Sequence, residues 1–334
     1  MGLEKCLIIA EAGVNHNGDI NLAFKLCDEA KRIGADVVKF QTYKTEEIIT
    51  NNTEQAEYQK ENTGRDETQY ELLKRLELSY EEFRKIKEYC DLIGIKFAST
   101  GDTIEDVNFL LTLDIPFIKI GSSDIGNIPF LRYIGTLNKP SILSTGMRTL
   151  DDIEYAVSEL EKAGTEDITL LHCTTSYPCA DEDVNLKAIN TLVDKYGLPV
   201  GYSDHTIGSE VAIAAVALGA KVIEKHLTLD TSLEGPDHMA STPPDEFARL
   251  VNSIRRIERA MGDGIKRPTD IENSISAVVK KRIVARKEIK KGNVISEDDI
   301  SVMRSREGMF ASRWDDVVGS IACRNYHAND GIII

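Results

Sequence analysis

Residues 199–228 read PVGYSDHTIGSEVAIAAVALGAKVIEKHLT, and the fold can be decided from this stretch. A short run, Pro199–Ser203, turns into the helical pattern SEVAIAAVALGA, stops at a glycine, and enters a second strand-like run, Lys221–Leu227. Strand, helix and strand in immediate succession form a βαβ unit, which lays the two strands parallel. Side chains alternate faces along a strand, so Ser203 and His205 share a face, as do Glu224 and His226. Two parallel strands that both end in polar residues of matching parity place chemistry at the carboxyl edge of the sheet.

The same alternation runs back to the N-terminus. Strands are predicted at Leu7–Gly13, Asp36–Thr42, Lys96–Thr100, Phe117–Ser122, Ser141–Gly146 and Ile168–Thr174, giving eight with the two above. Amphipathic patterns such as NLAFKLCDEAKRIG, EEFRKIKEYCDLIG and TLDDIEYAVSELEKAG separate them. Eight strands, each followed by a helix, predict an α/β fold of the TIM (β/α)8 barrel type. A doubly wound open sheet is the rival, but the glycine-rich dinucleotide turn it would ordinarily carry after an early strand is missing. The strand ends are polar throughout: Glu11, Lys39, Gln41, Thr100, Lys119, Ser122, Ser144, His172 and Thr174 join the two pairs already named. Burying so many polar groups in a packing core would be costly, so a functional pocket is the expected reason for them.

Length and composition bound the rest. The chain has 334 residues and an apolar fraction of 42%, enough for one large domain, alone or with a small companion. No apolar run approaches a membrane span, and the first one, after MGLEKC, reads as a buried strand and not a leader. Cysteines at 6, 27, 90, 173, 179 and 323 form no CxxC pair, which predicts a reduced, cytoplasmic setting. The net charge of −15 argues against nucleic acid or an anionic membrane as partner. From residue 281 onward the balance reverses, with ten Lys and Arg against eight Asp and Glu.

These features divide the chain into a barrel over 1–262, a connector over 263–280 and a small strand-rich module over 281–334. In the module, Ser296 and Asp299 have capping-box spacing for a brief helical turn. A module of this size is expected to lean on another surface. The polar stretch between Lys44 and Ser79 is too long for an ordinary βα connection and reads either as a lid or as surface decoration.

Two constellations carry chemistry. His205 and His226, at equivalent ends of neighbouring strands, can hold a divalent first-row metal with a carboxylate such as Glu11 or Asp237 nearby, or can simply hydrogen-bond within the site. Lys39 and Lys119 project inward, where an ammonium needs compensation. With hydroxyls from Thr100, Ser122, Ser144 and Ser203 they suit a ligand bearing phosphate and carboxylate, at about 1.5–3 kcal/mol per charge-assisted contact. A Schiff-base lysine of an aldolase is the alternative, and spacing does not separate the two. His16 either orients a substrate or caps the following helix, His172 reads as a satisfied interior histidine, and His327 carries no signal.

The segments EAGVNHNG (11–18), VVKFQT (37–42), KIGSSD (119–124), ILSTGM (142–147), LLHCTTSYP (170–178), GYSDHT (201–206), EKHLT (224–228) and GPDH (235–238) occur in this order along the barrel. Together they resemble the sialic acid synthase family, which includes the legionaminic, pseudaminic and spore-coat polysaccharide synthases. The tail from Lys281 is similar to that family's antifreeze-like (SAF) module. The resemblance implies phosphoenolpyruvate and an acetamido sugar as substrates, manganese or magnesium as cofactor, and a domain-swapped homodimer. It assigns the metal to His205 and His226, and phosphoenolpyruvate to Lys39, Thr100, Lys119, Ser122, Ser144 and Ser203. Gln41, Asp124, Tyr177 and Asp237 fall on sugar-facing positions, and Glu11 on an acid implicated in proton transfer. Arg304 matches a tail arginine that reaches the partner subunit's site. Three departures stand out: Thr175 replaces a frequent asparagine, ASTGDT (98–103) lacks a usual Pro-Phe, and Ser305 follows Arg304 in place of proline.

The implied reaction joins phosphoenolpyruvate to the aldehyde of an N-acetylated mannosamine-type sugar and releases phosphate. Glu11, with Asp124 as a second candidate, is expected to manage the protons around the attacking water, and Arg304 to steady the sugar. Two rival readings are a Schiff-base pyruvate aldolase on the same barrel and a non-enzymatic carbohydrate-binding protein.

Overall fold

A computed structural model describes residues 5–51, 53–55, 60, 65 and 67–334. Eight parallel strands close into a barrel in sequence order. They are β1 (Leu7–Gly13), β2 (Val37–Thr42), β3 (Lys96–Gly101), β4 (Ile118–Ile120), β5 (Ser141–Ser144), β6 (Ile168–Cys173), β7 (Val200–Asp204) and β8 (Val222–His226). The outer helices that follow them are α1 (Ile20–Arg32), α2 (Tyr80–Ile93), α3 (Ile104–Leu111), α4 (Ile128–Thr136), α5 (Leu150–Ala163), α6 (Ala188–Tyr196), α7 (Glu210–Ala217) and α8 (Pro244–Met261). Local chemistry sets their ends. Ser79 and Glu82 form a capping box at the start of α2, and Gly94 ends that helix in the left-handed region at φ 72°. The α8 helix lies against α7 and α1 and so closes the ring. Among the described residues no helix is long and apolar enough to cross a membrane.

The alternation of side chains explains the interior. Ile9, Val37, Ala98, Phe117, Ile142, Leu171 and Val222 form one buried apolar cluster, with a residue from nearly every strand. Two residues further along the same strands come Glu11, Lys39, Thr100, Lys119, Ser144, Cys173 and Glu224, so a polar layer sits directly above an apolar floor. On β7 the floor position is Gly201, where an added Cβ would lie 2.5 Å from Val222 O and 2.7 Å from Leu171 Cδ2, so no side chain fits there. The opposite parity, including Ile8, Ala10, Val38 and Phe40, packs outward against the helices. Each fully buried aliphatic side chain in these layers contributes about 1.5–3 kcal/mol.

Five strands are shorter than predicted, β2 and β6 by one residue, β5 and β8 by two and β4 by three, and the losses on β4 and β5 shape the site. The chain leaves β4 at Ile120 and turns through a 3-10 segment at Ser122–Asp124. On β5 the ladder ends at Ser144, because Gly146 N donates to the Ser122 hydroxyl instead (2.9 Å). Both departures place side chains over the barrel mouth. In the long connection after β2, helix Gln69–Leu76 buries Leu72 and Leu76 against Val14 and Tyr43. The choice between lid and decoration falls partly on residues 52, 56–59, 61–64 and 66, which lie outside the described residues.

A second compact unit spans Asp263–Ile334. Strands β9 (Lys281–Ala285) and β10 (Ile300–Arg304) pair antiparallel over a core that includes Ile283, Ile295, Ile300, Val317, Tyr326 and Ile332. Ser296 and Asp299 form the expected capping box. The stretch expected to be a plain connector contains a helix, Asp270–Val279, because Thr269 and Glu272 complete a capping box at its start.

Candidate active site

Strand register gathers the polar layer. Glu11 pairs in register with Lys39 on one side and His226 on the other; Gln41 pairs with Thr100, Thr100 with Lys119, and Ser203 with Glu224. The resulting cavity, about 390 Å³, is lined by Glu11, Lys39, Gln41, Thr100, Lys119, Ser122, Ser144, Tyr177, Ser203, His205 and His226 among others. Eleven of the fourteen residues singled out in the sequence therefore meet at one mouth.

Its floor is a charge cluster. Lys39 Nζ lies 2.6 Å from Glu11 Oε2 and 3.6 Å from Glu224 Oε2, and donates to Thr100 Oγ1 at 3.2 Å. Lys119 Nζ donates to Ser144 Oγ at 2.7 Å and stands 3.7 Å from Glu224 Oε1, which also accepts from Ser203 Oγ. Burial pushes Glu11 up to about 7 against the pull of Lys39. Burial acts on Glu224 too, but Lys119 and Lys39 outweigh it and hold that carboxylate ionised. Burial likewise opposes the charge on Lys39, yet Glu11 and Glu224 together hold it as an ammonium. A Schiff-base nucleophile needs a neutral amine, so this environment counts against Lys39 in that role.

Above the cluster stand two imidazoles whose ring centroids are 5.7 Å apart. His205 Nδ1–H donates to Thr174 O (2.7 Å), which leaves the Nε2 lone pair facing the cavity side. His226 Nδ1 has no hydrogen-bond partner among the described residues and lies 3.9 Å from Asp237 Oδ2. Burial keeps both rings neutral, and His205 and Lys39 add to the effect at His226. Tyr177 packs on both rings. Two neutral imidazoles suit a divalent ion, although among the described residues no three His, Cys, Asp or Glu side chains converge as a metal cage.

The residues between these histidines and their strand neighbours point outward and lock the strand ends. Lys225 Nζ contacts Asp204 Oδ2 at 2.6 Å and donates to Thr206 O, while Asp204 Oδ1 accepts from Thr206 N and Oγ1. Both charged side chains are essentially inaccessible. Asp204→Ala is expected to cost about 3–5 kcal/mol in urea denaturation, because the Lys225 ammonium is left buried without a counter-charge. A loss below about 1 kcal/mol would mean that the Thr206 carbonyl satisfies Lys225 unaided.

Three predicted residues lie elsewhere. Asp124 accepts from Asn127 Nδ2 on the 3-10 turn and does not line the cavity. Asp237 lines a smaller adjoining recess with Gln41, Tyr177 and His226, and burial pushes its carboxyl up to about 6. Arg304 is exposed at the end of β10, in the second unit. His16 is buried, its Nδ1 accepting from Gly18 N, and His172 Nε2 donates to Val184 O.

Residues to which the sequence assigns no role also line the cavity: Glu224, Asp102, Thr175, Gln69 and Leu73. Parity places Glu224 in the mouth with His226, though without a role, and could have found Asp102 from Thr100. Nothing in a helical repeat marks Gln69 and Leu73.

Comparison with known proteins agrees with this architecture. A model of the NeuB family matches residues 26–266, and a model of the SAF domain matches residues 281–332. The chain is 46% identical over 330 residues to the N,N'-diacetyllegionaminic acid synthase of Campylobacter jejuni, covering 98% of this chain and 99% of that one. To the N,N'-diacetyllegionaminic acid synthase of Legionella pneumophila it is 45% identical, with 98% and 93% covered. Among solved structures, the N-acetylneuraminic acid (sialic acid) synthetase of Leptospira borgpetersenii in complex with citrate matches with a TM-score of 0.73 at 39% identity, over 81% of this chain and 90% of that one. With family models covering both units and such identity along nearly the whole length, the chain belongs to the NeuB family and carries a SAF domain at its C-terminal end.

Proposed function

We propose that this chain is a synthase that condenses phosphoenolpyruvate with an N-acetylated mannosamine-type sugar, giving a nine-carbon nonulosonic acid and phosphate. The sugar favoured is 2,4-diacetamido-2,4,6-trideoxymannose, because relatives named for legionaminic acid match at 46% and 45% identity over nearly the whole chain. N-acetylmannosamine is the second choice. The observation that carries the reading is the two-sided mouth, with compensated lysines on one side and neutral imidazoles on the other.

Lys39, Lys119 and the hydroxyls of Thr100, Ser122, Ser144 and Ser203 bind phosphoenolpyruvate and aim its methylene carbon at the aldehyde. Gln41, Tyr177 and Asp237 orient the sugar. His205 and His226 would hold a divalent manganese or magnesium ion, which supplies Lewis-acid polarisation of a carbonyl oxygen. Carbon–carbon bond formation leaves positive charge at the enol carbon, where water adds before phosphate departs. Glu11, poised near neutral by its burial, accepts and returns the proton of that water, with Asp124 the second candidate. Arg304 of a domain-swapped partner completes the sugar side, and the setting is cytoplasmic.

The test is phosphate release from phosphoenolpyruvate against a panel of acetamido sugars, with manganese and with a chelator. Release that requires one diacetamido sugar and stops on chelation is the expected result. Undiminished release in the chelator would remove the metal from the proposal, and silence across the panel would remove the reaction.

A further inference from the structure

Asp102 follows β3 by one residue and shares the parity of Thr100. It lines the same cavity as Lys39, Thr100 and Lys119. In strand order around the closed barrel β3 stands opposite β7, so Asp102 lies across the mouth from His205. Its position is fixed locally: its own N–H donates to Thr42 O, and the next residue, Thr103, caps α3 in a box with Asp106.

The charged and titratable groups that act on Asp102 include Lys39 on β2, Asp106 on α3, Lys119 on β4 and Asp124 on the turn after β4, and Tyr43 just after β2 feels its charge. Both lysines already have carboxylate partners in Glu11 and Glu224, so they offset the charge of Asp102 only in part. Burial, then Asp124 and Asp106, push Asp102 up to about 7, with Lys39 and Lys119 opposing. A ligand bearing both phosphate and carboxylate would bring more negative charge than Lys39 and Lys119, already shared with Glu11 and Glu224, can offset. An ionised Asp102 beside it would repel; a protonated one would donate a hydrogen bond.

We infer that Asp102 is a proton-coupled binding residue for phosphoenolpyruvate, taking up a proton as the ligand enters and donating a hydrogen bond to one of its anionic oxygens. This rests on the phosphoenolpyruvate reading above. Affinity should then weaken as pH rises, approaching about tenfold per pH unit well above neutrality. The effect should appear in KM for phosphoenolpyruvate and not in kcat.

The experiment is calorimetric titration of the full chain with phosphoenolpyruvate, without sugar, at pH 6.5–8.5 in buffers of different ionisation enthalpy. The wild type is expected to take up about half a proton on binding near pH 7, rising toward one at pH 8.5. Asp102→Asn, which keeps a hydrogen-bond donor but cannot titrate, should bind with no such uptake and with a flatter pH profile. Asp102→Glu should restore the slope. Uptake that persists unchanged in Asp102→Asn would place the proton elsewhere, on Glu11 for example, and overturn the assignment while leaving the synthase reading intact. A wild type that fails to bind phosphoenolpyruvate at any pH would overturn both.

Discussion

Replacing His226 with alanine is expected to abolish condensation, lowering kcat/KM by at least about 10³-fold while the barrel stays folded. The imidazole ends β8 and is 8% exposed, so it belongs to the cavity wall more than to the core. Its Nδ1 makes no hydrogen bond with the described residues, so alanine strands no protein donor or acceptor there. What is lost is ring packing with Tyr177 and His205, plus the second neutral imidazole facing the mouth. The stability cost should therefore be small beside the catalytic one. Circular dichroism and urea denaturation check the first part, and phosphate release with metal analysis of the purified protein checks the second. The variant should retain phosphoenolpyruvate binding, because Lys39, Lys119 and their hydroxyl partners are untouched. Metal-stimulated activity within about tenfold of wild type would remove His226 from the proposed centre.

Much of this site is legible in the sequence, for a specific reason. A barrel strand has a period of two and a defined carboxyl end, so parity alone puts Lys39 with Gln41, Ser203 with His205 and Glu224 with His226 inside one mouth. Parity says which face a side chain takes, but not how far it reaches or what balances it. That is why the sequence presents Glu224 only as a strand-end residue, when it contacts both lysines and the Ser203 hydroxyl. Where the backbone leaves the strand, parity fails. Asp124 belongs to a 3-10 turn, and its side chain turns to Asn127 and away from the cavity. The connection after β2 is recognisable by length, yet the entry of Gln69 and Leu73 into the cavity depends on how helix Gln69–Leu76 docks on Val14 and Tyr43. Docking of that kind leaves no local pattern in a sequence.

Lys39→Met should fail in two separable ways. Phosphoenolpyruvate affinity should fall about tenfold to a hundredfold, the worth of one charge-assisted contact. Stability should also fall, by about 3–5 kcal/mol at alkaline pH, because Glu11 and Glu224 then lose the ammonium that lies between them. The pH dependence follows from Glu11. Its pKa is raised by burial from an ordinary 4.5 to about 7 even with Lys39 present, and removing Lys39 raises it further. Between 4.5 and the folded value, the native state binds more protons than the unfolded chain, so stability declines as pH rises through that window. The penalty of Lys39→Met relative to wild type should therefore be smaller near pH 5, where Glu11 is neutral in both proteins and only Glu224 loses a counter-charge, and grow toward pH 8. Urea denaturation at the two pH values reads the difference directly. An equal penalty at both would mean that Glu11 does not depend on Lys39 for compensation.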